Sequence, residues 1–311
     1  MLCFLFKLLT FIGFVRVLLW IFGYVKKLFL LKEINFAERY GRSSWAVVTG
    51  GSEGIGFGIA KRLAKEGFNI VLIARKEDKL RQAKEELLKI NPLADVLTIS
   101  KDFAESHKAE FFEDIERRLS TLDISILVNN VGLLHIKNVM DMTAAEIRDE
   151  IVVNTCSQIG MSKILLPRFQ KRSKRCAQID LSSSATVNPM PLFGVYGATK
   201  AVNQYMSHGL ASYVKNTDFL TVNPGIVSTP MTNHKTVNSG ADPALKVASV
   251  DDAVKGIFEA LGNVSWTAGA LKHTMIYEVL YSVVPLIPLD IRSLIFSKQK
   301  STTSVEFWKS G

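Results

Sequence analysis

Apolar positions recur along most of the chain with two alternating periods. Short, nearly continuous apolar runs at 45–48, 69–74, 96–100, 124–128, 178–181 and 219–222 predict strands buried on both faces. Between them, apolar residues fall at three- and four-residue spacing. Ile55, Ile59 and Leu63 mark a helix over 55–66, closed by Gly67, and further helices are predicted over 76–90 (stopped near Pro92), 105–119, 143–169 and 196–215. Repeated strand–helix alternation predicts an α/β fold with one doubly wound parallel sheet. No repeat or low-complexity linker divides residues 40–265, so a single domain over 44–265 is expected. Its ligand should bind at the carboxyl ends of the strands, where the strand order reverses.

The first 31 residues break this pattern. The run 8–25 is apolar over 18 residues, with Arg16 as its only charge, about the minimum that spans a bilayer. One central Arg costs roughly 2.5–3.5 kcal/mol on insertion scales, which so many Leu, Phe, Val and Ile offset. Three readings stand: a spanning or re-entrant anchor, a helix lying in the interface with Lys7, Arg16, Lys26 and Lys27 as its polar face, and a cleaved signal peptide. Trp20, Phe22 and Tyr24 crowd the place where a small-residue cleavage site would lie, which disfavours the last. Residues 1–31 are therefore expected to form a hydrophobic membrane anchor and 32–43 a basic linker. Lys26, Lys27, Lys32, Arg39 and Arg42 follow the apolar run, which favours a cytoplasmic position for the rest of the chain.

Composition narrows the partners. With 48% hydrophobic and 22% charged residues, global disorder is excluded. A net charge of +9 suits nucleic acid, an anionic membrane surface or a polyanionic small molecule. No nucleic-acid motif occurs, so the last two remain. The run Lys171, Arg172, Lys174 and Arg175 reads as a solvated loop after a helix. Cys3, Cys156 and Cys176 have neither metal-ligand nor redox spacing; free thiols and no metal site are expected.

Four motifs carry chemistry. Thr49-Gly50-Gly51-Ser52-Glu53-Gly54-Ile55-Gly56 lies directly after a strand and opens a helix. Its glycines let the turn tighten and the backbone approach a pyrophosphate, which the helix N-terminus attracts. Arg75 follows the second strand, where sites selective for NAD commonly hold an acidic residue on the ribose 2′-hydroxyl. A cation there suits a 2′-phosphate, so NADP(H) is the expected cofactor. Asn129-Asn130-Val131-Gly132 ends a strand, and its amides suit adenine and ribose contacts. In Tyr196-Gly197-Ala198-Thr199-Lys200 a helix would put Tyr196 and Lys200 one turn apart on one face. An ammonium beside the phenol would lower its pKa and make it a usable proton donor. Ser183 lies thirteen positions before Tyr196.

In order, TGxxxGxG, NNxG, Ser, YxxxK and Asn223-Pro224-Gly225 resemble the short-chain dehydrogenase/reductase family over roughly residues 44–265. That resemblance implies a Rossmann fold and a tetrad of Asn154, Ser183, Tyr196 and Lys200. It also implies coenzyme contacts from Thr49, Gly50, Ser52, Glu53, Gly54, Ile55, Gly56, Arg75, Asp102 (on the adenine amino group), Asn130, Gly132, Tyr196, Lys200, Pro224, Gly225, Val227 and Thr229. A homodimer is a family-level expectation.

A narrower resemblance is to the very-long-chain 3-oxoacyl-CoA reductases and the overlapping microsomal 17β-hydroxysteroid dehydrogenases. It rests on residues 45–50, 69–75, 129–132, Pro191-Leu192 with 196–200, and Thr267-Ala268-Gly269 with His273. It implies NADPH-dependent reduction of a lipid carbonyl, first a long-chain 3-oxoacyl-CoA in fatty-acid elongation, at the endoplasmic reticulum membrane with the catalytic domain facing the cytoplasm. A steroid or retinoid dehydrogenase is the alternative, and a catalytically silent lipid-associated scaffold a third. The segments 188–193 and 229–249 are expected to line the substrate site. Those relatives carry an apolar C-terminal region, here 266–311. Pro285, Pro288, Asp290 and Arg292 argue against a second span and for contact with membrane lipid or substrate. The chain ends Phe307-Trp308-Lys309-Ser310-Gly311, without a dilysine retrieval signal.

Overall fold

The structure is a computed structural model that describes residues 2–26, 31–186, 192–232, 247–283, 287 and 291. Within the helices, side chains of residues 2, 3, 5, 6, 9 and 278–283 are also outside the description. Most of 188–193 and 229–249, and nearly all of 284–311, therefore lie outside the described residues.

Seven strands form one sheet: β1 (Trp45–Thr49), β2 (Asn69–Ala74), β3 (Val96–Ser100), β4 (Ile124–Asn129), β5 (Cys176–Leu181), β6 (Thr217–Val222) and β7 (Trp266–Thr267). The order is β3-β2-β1-β4-β5-β6-β7 and every pairing is parallel. The near-continuous apolar strands are explained by cover on both faces. Ile70, Leu72 and Ala74 of β2 point into one core with Ala46, Val48, Ile126 and Val128. Val71 and Ile73 point into the other with Val47 and Leu127. Helices α2 (Gly54–Lys65), α3 (Glu77–Ile90) and α8 (Val250–Ala260) cover the first core through Ile59, Leu63, Leu80, Leu87, Ile257 and Phe258. Helices α4 (Ala109–Leu119), α6 (Ser157–Phe169) and α7 (Gly194–Tyr213) cover the second through Phe111, Ile115, Leu165 and Leu210. The switch point falls between β1 and β4.

Local chemistry moves three boundaries. The helix expected over 105–119 begins only at Ala109, because Asp102 accepts the Ala104 amide (3.0 Å) and caps a separate turn over Phe103–Glu105. The helix expected over 143–169 is two helices, α5 (Ala144–Ile151) and α6, joined by a π turn over Val152–Cys156. There Thr155 and Ser157 hydroxyls donate back to the carbonyls of Ile151 and Val153 (2.6 Å each), and the Asn154 side chain is drawn into other partners. β7 and the helix α9 (Leu271–Val283) lie beyond residue 265, so the sheet closes past the expected domain boundary.

Residues 32–43, expected as a basic linker, pack on the domain. Phe36 and Tyr40 are fully buried, and Phe36 meets Phe258 edge-on at 5.1 Å. Arg39 Nε and the Tyr40 hydroxyl both donate to Asp218 Oδ2, at 2.6 and 2.9 Å. In the basic run, Arg172 pairs with Asp123 (2.8 Å) and Arg175 with Asp218 (2.5 Å), so half of that solvated loop is an ion-pair network at the amino ends of the strands.

At the N-terminus, α1 (Leu2–Val25) is a 24-residue helix whose Phe4, Phe11, Phe14, Leu19 and Phe22 side chains are exposed. Its unbroken run of described side chains is 10–25, and among the described residues no helix is long and apolar enough to cross a membrane.

Candidate active site

The carboxyl ends of β1, β4 and β5 meet at the switch point. β1 runs into the glycine turn, where Gly50 and Gly54 both have φ of 61°. A Cβ on Gly50 would lie 2.9 Å from Asn130 Nδ2, and one on Gly56 would overlap the same atom. Asn130 holds the turn shut: its Nδ2 donates to the carbonyls of Thr49 and Gly50, at 3.0 Å each. Thr49 Oγ1 accepts from the amides of Asn130 and Val131 (3.0 and 3.2 Å) and donates to the Val128 carbonyl (3.2 Å).

At the head of α2, Glu53 adopts an extended conformation and makes no side-chain cap, so the first amides of α2 keep no side-chain acceptor. Free amides, positive helix dipole and close backbone suit a diphosphate along Ser52–Ile55. Thr229 comes over this turn: a Cβ on Gly54 would meet its Cγ2 at 3.4 Å. Thr229 N is fixed by Thr232 Oγ1 (3.1 Å), and Val227 is buried beside Ala248.

Other residues expected at the coenzyme lie past the carboxyl ends of the next strands. Arg75 stands exposed at the end of β2, and its guanidinium forms no ion pair among the described residues. Asp102 lies just past β3 with one carboxylate oxygen engaged by Ala104. The side-chain amides expected to meet adenine and ribose are spent inside the protein. Asn129 Nδ2 donates to buried Asp180 (2.8 Å), and Asn130 Nδ2 closes the glycine turn. These strand-end amides build the cradle rather than reach out of it.

Asn154, Ser183, Tyr196 and Lys200 come together. Asn154 is fully buried in the π turn. Its Oδ1 accepts the Leu133 amide (2.7 Å), and its Nδ2 donates to the Leu133 carbonyl and to Thr199 Oγ1 (2.9 Å each). Thr199 Oγ1 in turn donates to the Tyr196 carbonyl (2.7 Å), which ties the turn to α7. Lys200 Nζ donates to the Leu181 carbonyl (2.9 Å), and Ser182 Oγ donates to the Lys200 carbonyl (2.7 Å). Gly132 leaves room for this ammonium; a Cβ there would lie 3.3 Å from Nζ. Ser183 Oγ accepts the Ala185 amide (3.1 Å) and hydrogen-bonds Tyr196.

Burial dominates the electrostatics. The Tyr196 phenol is pushed up to about 12 by burial, opposed by its bond to Ser183 and reinforced by the charge of Glu150. The lowered phenol pKa expected from Lys200 is not seen. Nζ lies 5.9 Å from the Tyr196 ring centroid, is held by the Leu181 carbonyl, and is itself driven down to about 8 by burial. Asp180 is raised to about 6 by complete burial, although amides of Asn129 and Gln178 donate to it.

Glu150 and Tyr277 had no sequence signal. Glu150, buried on α5, bonds His135 Nδ1 (3.2 Å), and burial raises its carboxyl. From α9, His273 and Tyr277 press on Gly225: a Cβ there would lie 3.0 Å from the His273 ring and 2.9 Å from the Tyr277 hydroxyl. Tyr277 hydrogen-bonds Ser184, whose amide donates to the Pro224 carbonyl (3.0 Å). α9 thus walls the site beside Ser183, from the C-terminal region expected to contact membrane lipid or substrate.

The short chain dehydrogenase family model matches residues 44–239. The human very-long-chain 3-oxoacyl-CoA reductase is 32% identical over 269 residues, 84% of this chain and 81% of that protein. The zebrafish (Danio rerio) 17-beta-hydroxysteroid dehydrogenase type 3 is 32% identical over 246 residues, 77% of this chain and 76% of that one. Among solved structures, a 7beta-hydroxysteroid dehydrogenase superposes with a TM-score of 0.73 at 21% identity, over 85% of this chain and 100% of that chain, a likeness of fold alone. The L-sorbose reductase of Gluconobacter frateurii, solved with NADPH and L-sorbose, gives 0.65 at 26% identity, over 76% and 99%.

Proposed function

The chain belongs to the short-chain dehydrogenase family, and on that premise we propose that it reduces a lipid carbonyl with NADPH, with a long-chain 3-oxoacyl-CoA going to the 3-hydroxyacyl-CoA. The observation that carries the reductase reading is the buried meeting of Tyr196, Ser183, Lys200 and Asn154 beside the glycine turn. Arg75, exposed at the end of β2, supports the phosphorylated coenzyme.

The hydride would come from a bound nicotinamide coenzyme, held by the α2 amides, Ser52, Arg75 and the segment Pro224–Thr229. The remaining work falls to the chain's own groups. Ser183 Oγ orients the substrate oxygen. Tyr196, kept protonated by its high pKa, gives its phenolic proton to that oxygen as the C–H bond forms, leaving an alcohol. Lys200, cationic below about pH 8, steadies the phenolate left behind. Asn154 fixes Leu133 and Thr199, and so the spacing between the π turn and the helix bearing Tyr196 and Lys200.

The exposed aromatic side chains of α1 suit an N-terminal membrane anchor at the endoplasmic reticulum and a lipid substrate, and the basic residues that follow (Lys26, Lys27, Lys32, Arg39 and Arg42) suit a domain on the cytoplasmic side. Protease protection in microsomes tests that placement. A second reading, 17β-hydroxysteroid oxidoreduction, is favoured by the similarity to the zebrafish enzyme. NADPH oxidation with both substrates in parallel separates the two.

A further inference from the structure

The cofactor-side surface holds a charge pair that the catalytic reading leaves unused. Glu53 stands at the head of α2, in the glycine turn, extended and making no cap. Lys79, in the first turns of α3, forms an ion pair with it across the ends of β1 and β2. Among the described residues, neither side chain has another ion pair or side-chain hydrogen bond to a different element. Arg75 lies between the two elements at the end of β2 and forms no ion pair there.

The pair sits where a carboxylate has chemical consequences. An acidic group beside the ribose at the end of the second strand accepts from a 2′-hydroxyl and repels a 2′-phosphate. Glu53 stands in the glycine turn and not at the end of β2, but its pairing with Lys79 turns its carboxylate toward the start of α3, on the side of Arg75, where left alone it would repel the dianion that Arg75 attracts. Lys79 cancels it. Surface ion pairs contribute little to stability, so the pair is poorly explained as a fold-holding contact. Both side chains remain more than a third exposed, within reach of a ligand entering the cleft.

We propose that Lys79, held in place by Glu53, is a specificity-determining residue that, with Arg75, sets the preference for a coenzyme phosphorylated on the adenosine ribose. The inference rests on the NADPH reading above and adds to it a residue outside the fingerprint and a carboxylate that would otherwise oppose it.

The test is binding, not turnover: the dissociation constants of NADPH and NADH for full-length protein in detergent, from coenzyme fluorescence. Lys79→Ala should lower the NADPH-over-NADH preference by roughly tenfold, chiefly through weaker NADPH, the scale of one unit charge removed at a partly screened site. Lys79→Arg should keep the preference. Glu53→Gln in the Lys79→Ala background should restore part of it, because the uncompensated carboxylate is gone. Unchanged preference in Lys79→Ala, within twofold, would overturn the inference while leaving the NADPH reading intact. A wild-type protein that binds NADH as tightly as NADPH would overturn both.

Discussion

Replacing Lys200 with Met should stop turnover and raise stability together. Lys200 is fully buried, and burial alone drives its ammonium from the ordinary value of about 10.4 to about 8. At about 1.4 kcal/mol for each factor of ten in proton affinity, holding the charge there costs about 3 kcal/mol. The folded pKa lies below the unfolded one, so the cost is complete below about pH 8. It shrinks as pH rises from about 8 toward 10.4, where the folded protein sheds the proton and the unfolded chain still keeps it. Met preserves the length of the side chain and removes the charge. It also strands the Leu181 carbonyl that Nζ serves, which takes back about 1–3 kcal/mol. The net gain near pH 7 should be about 0–2 kcal/mol, or up to about 8 °C in unfolding midpoint for a domain of this size. Thermal unfolding of both proteins in detergent from pH 6.5 to 10 measures it. The gap should be widest below pH 8 and close as pH rises. A less stable Lys200→Met protein at pH 7, with a gap that does not change with pH, would refute the reasoning.

Further outcomes follow from the same geometry. The rate of carbonyl reduction should fall as pH rises through about 8, where Lys200 loses its charge, while Tyr196 stays protonated to about 12; kcat/KM for NADPH oxidation between pH 6 and 10 tests this, and a plateau to pH 10 would contradict it. Tyr196→Phe should lower turnover by about two to four orders of magnitude, with NADPH affinity within a few-fold of wild type by fluorescence titration. Gly56→Ala forces a Cβ into Asn130 and should destabilise by about 1–3 kcal/mol and weaken coenzyme binding, both measurable on one purified sample.

Much of the fold was legible because the strands are buried on both faces. Residues 69–74 and 96–100 have the bounds expected from their apolar runs, since nothing but a two-sided core needs NIVLIA. The π turn was not legible. Beside the local back-bonds of Thr155 and Ser157, Asn154 bonds Leu133 and Thr199 far along the chain, and helical spacing carries no trace of that. The tetrad could be found by motif, but its electrostatics could not. A tyrosine and a lysine one turn apart suggest a depressed phenol, whereas the folded chain buries both and turns the ammonium to Leu181. Nor does the spacing of Asn129 and Asn130 reveal that their amides face inward. For α9 the sequence carried only an expected contact with lipid or substrate; the particular meeting was hidden, because His273 and Tyr277 act only where Gly225, some fifty positions earlier, leaves them room.

The most direct test is NADPH oxidation by full-length protein in detergent or microsomes, with a long-chain 3-oxoacyl-CoA and a 17-ketosteroid in parallel and Tyr196→Phe as control. The expected result is acyl-CoA-dependent oxidation that the Tyr196→Phe protein loses. Oxidation with the steroid alone would contradict the acyl-CoA assignment, and oxidation that survives in Tyr196→Phe would contradict the active site itself.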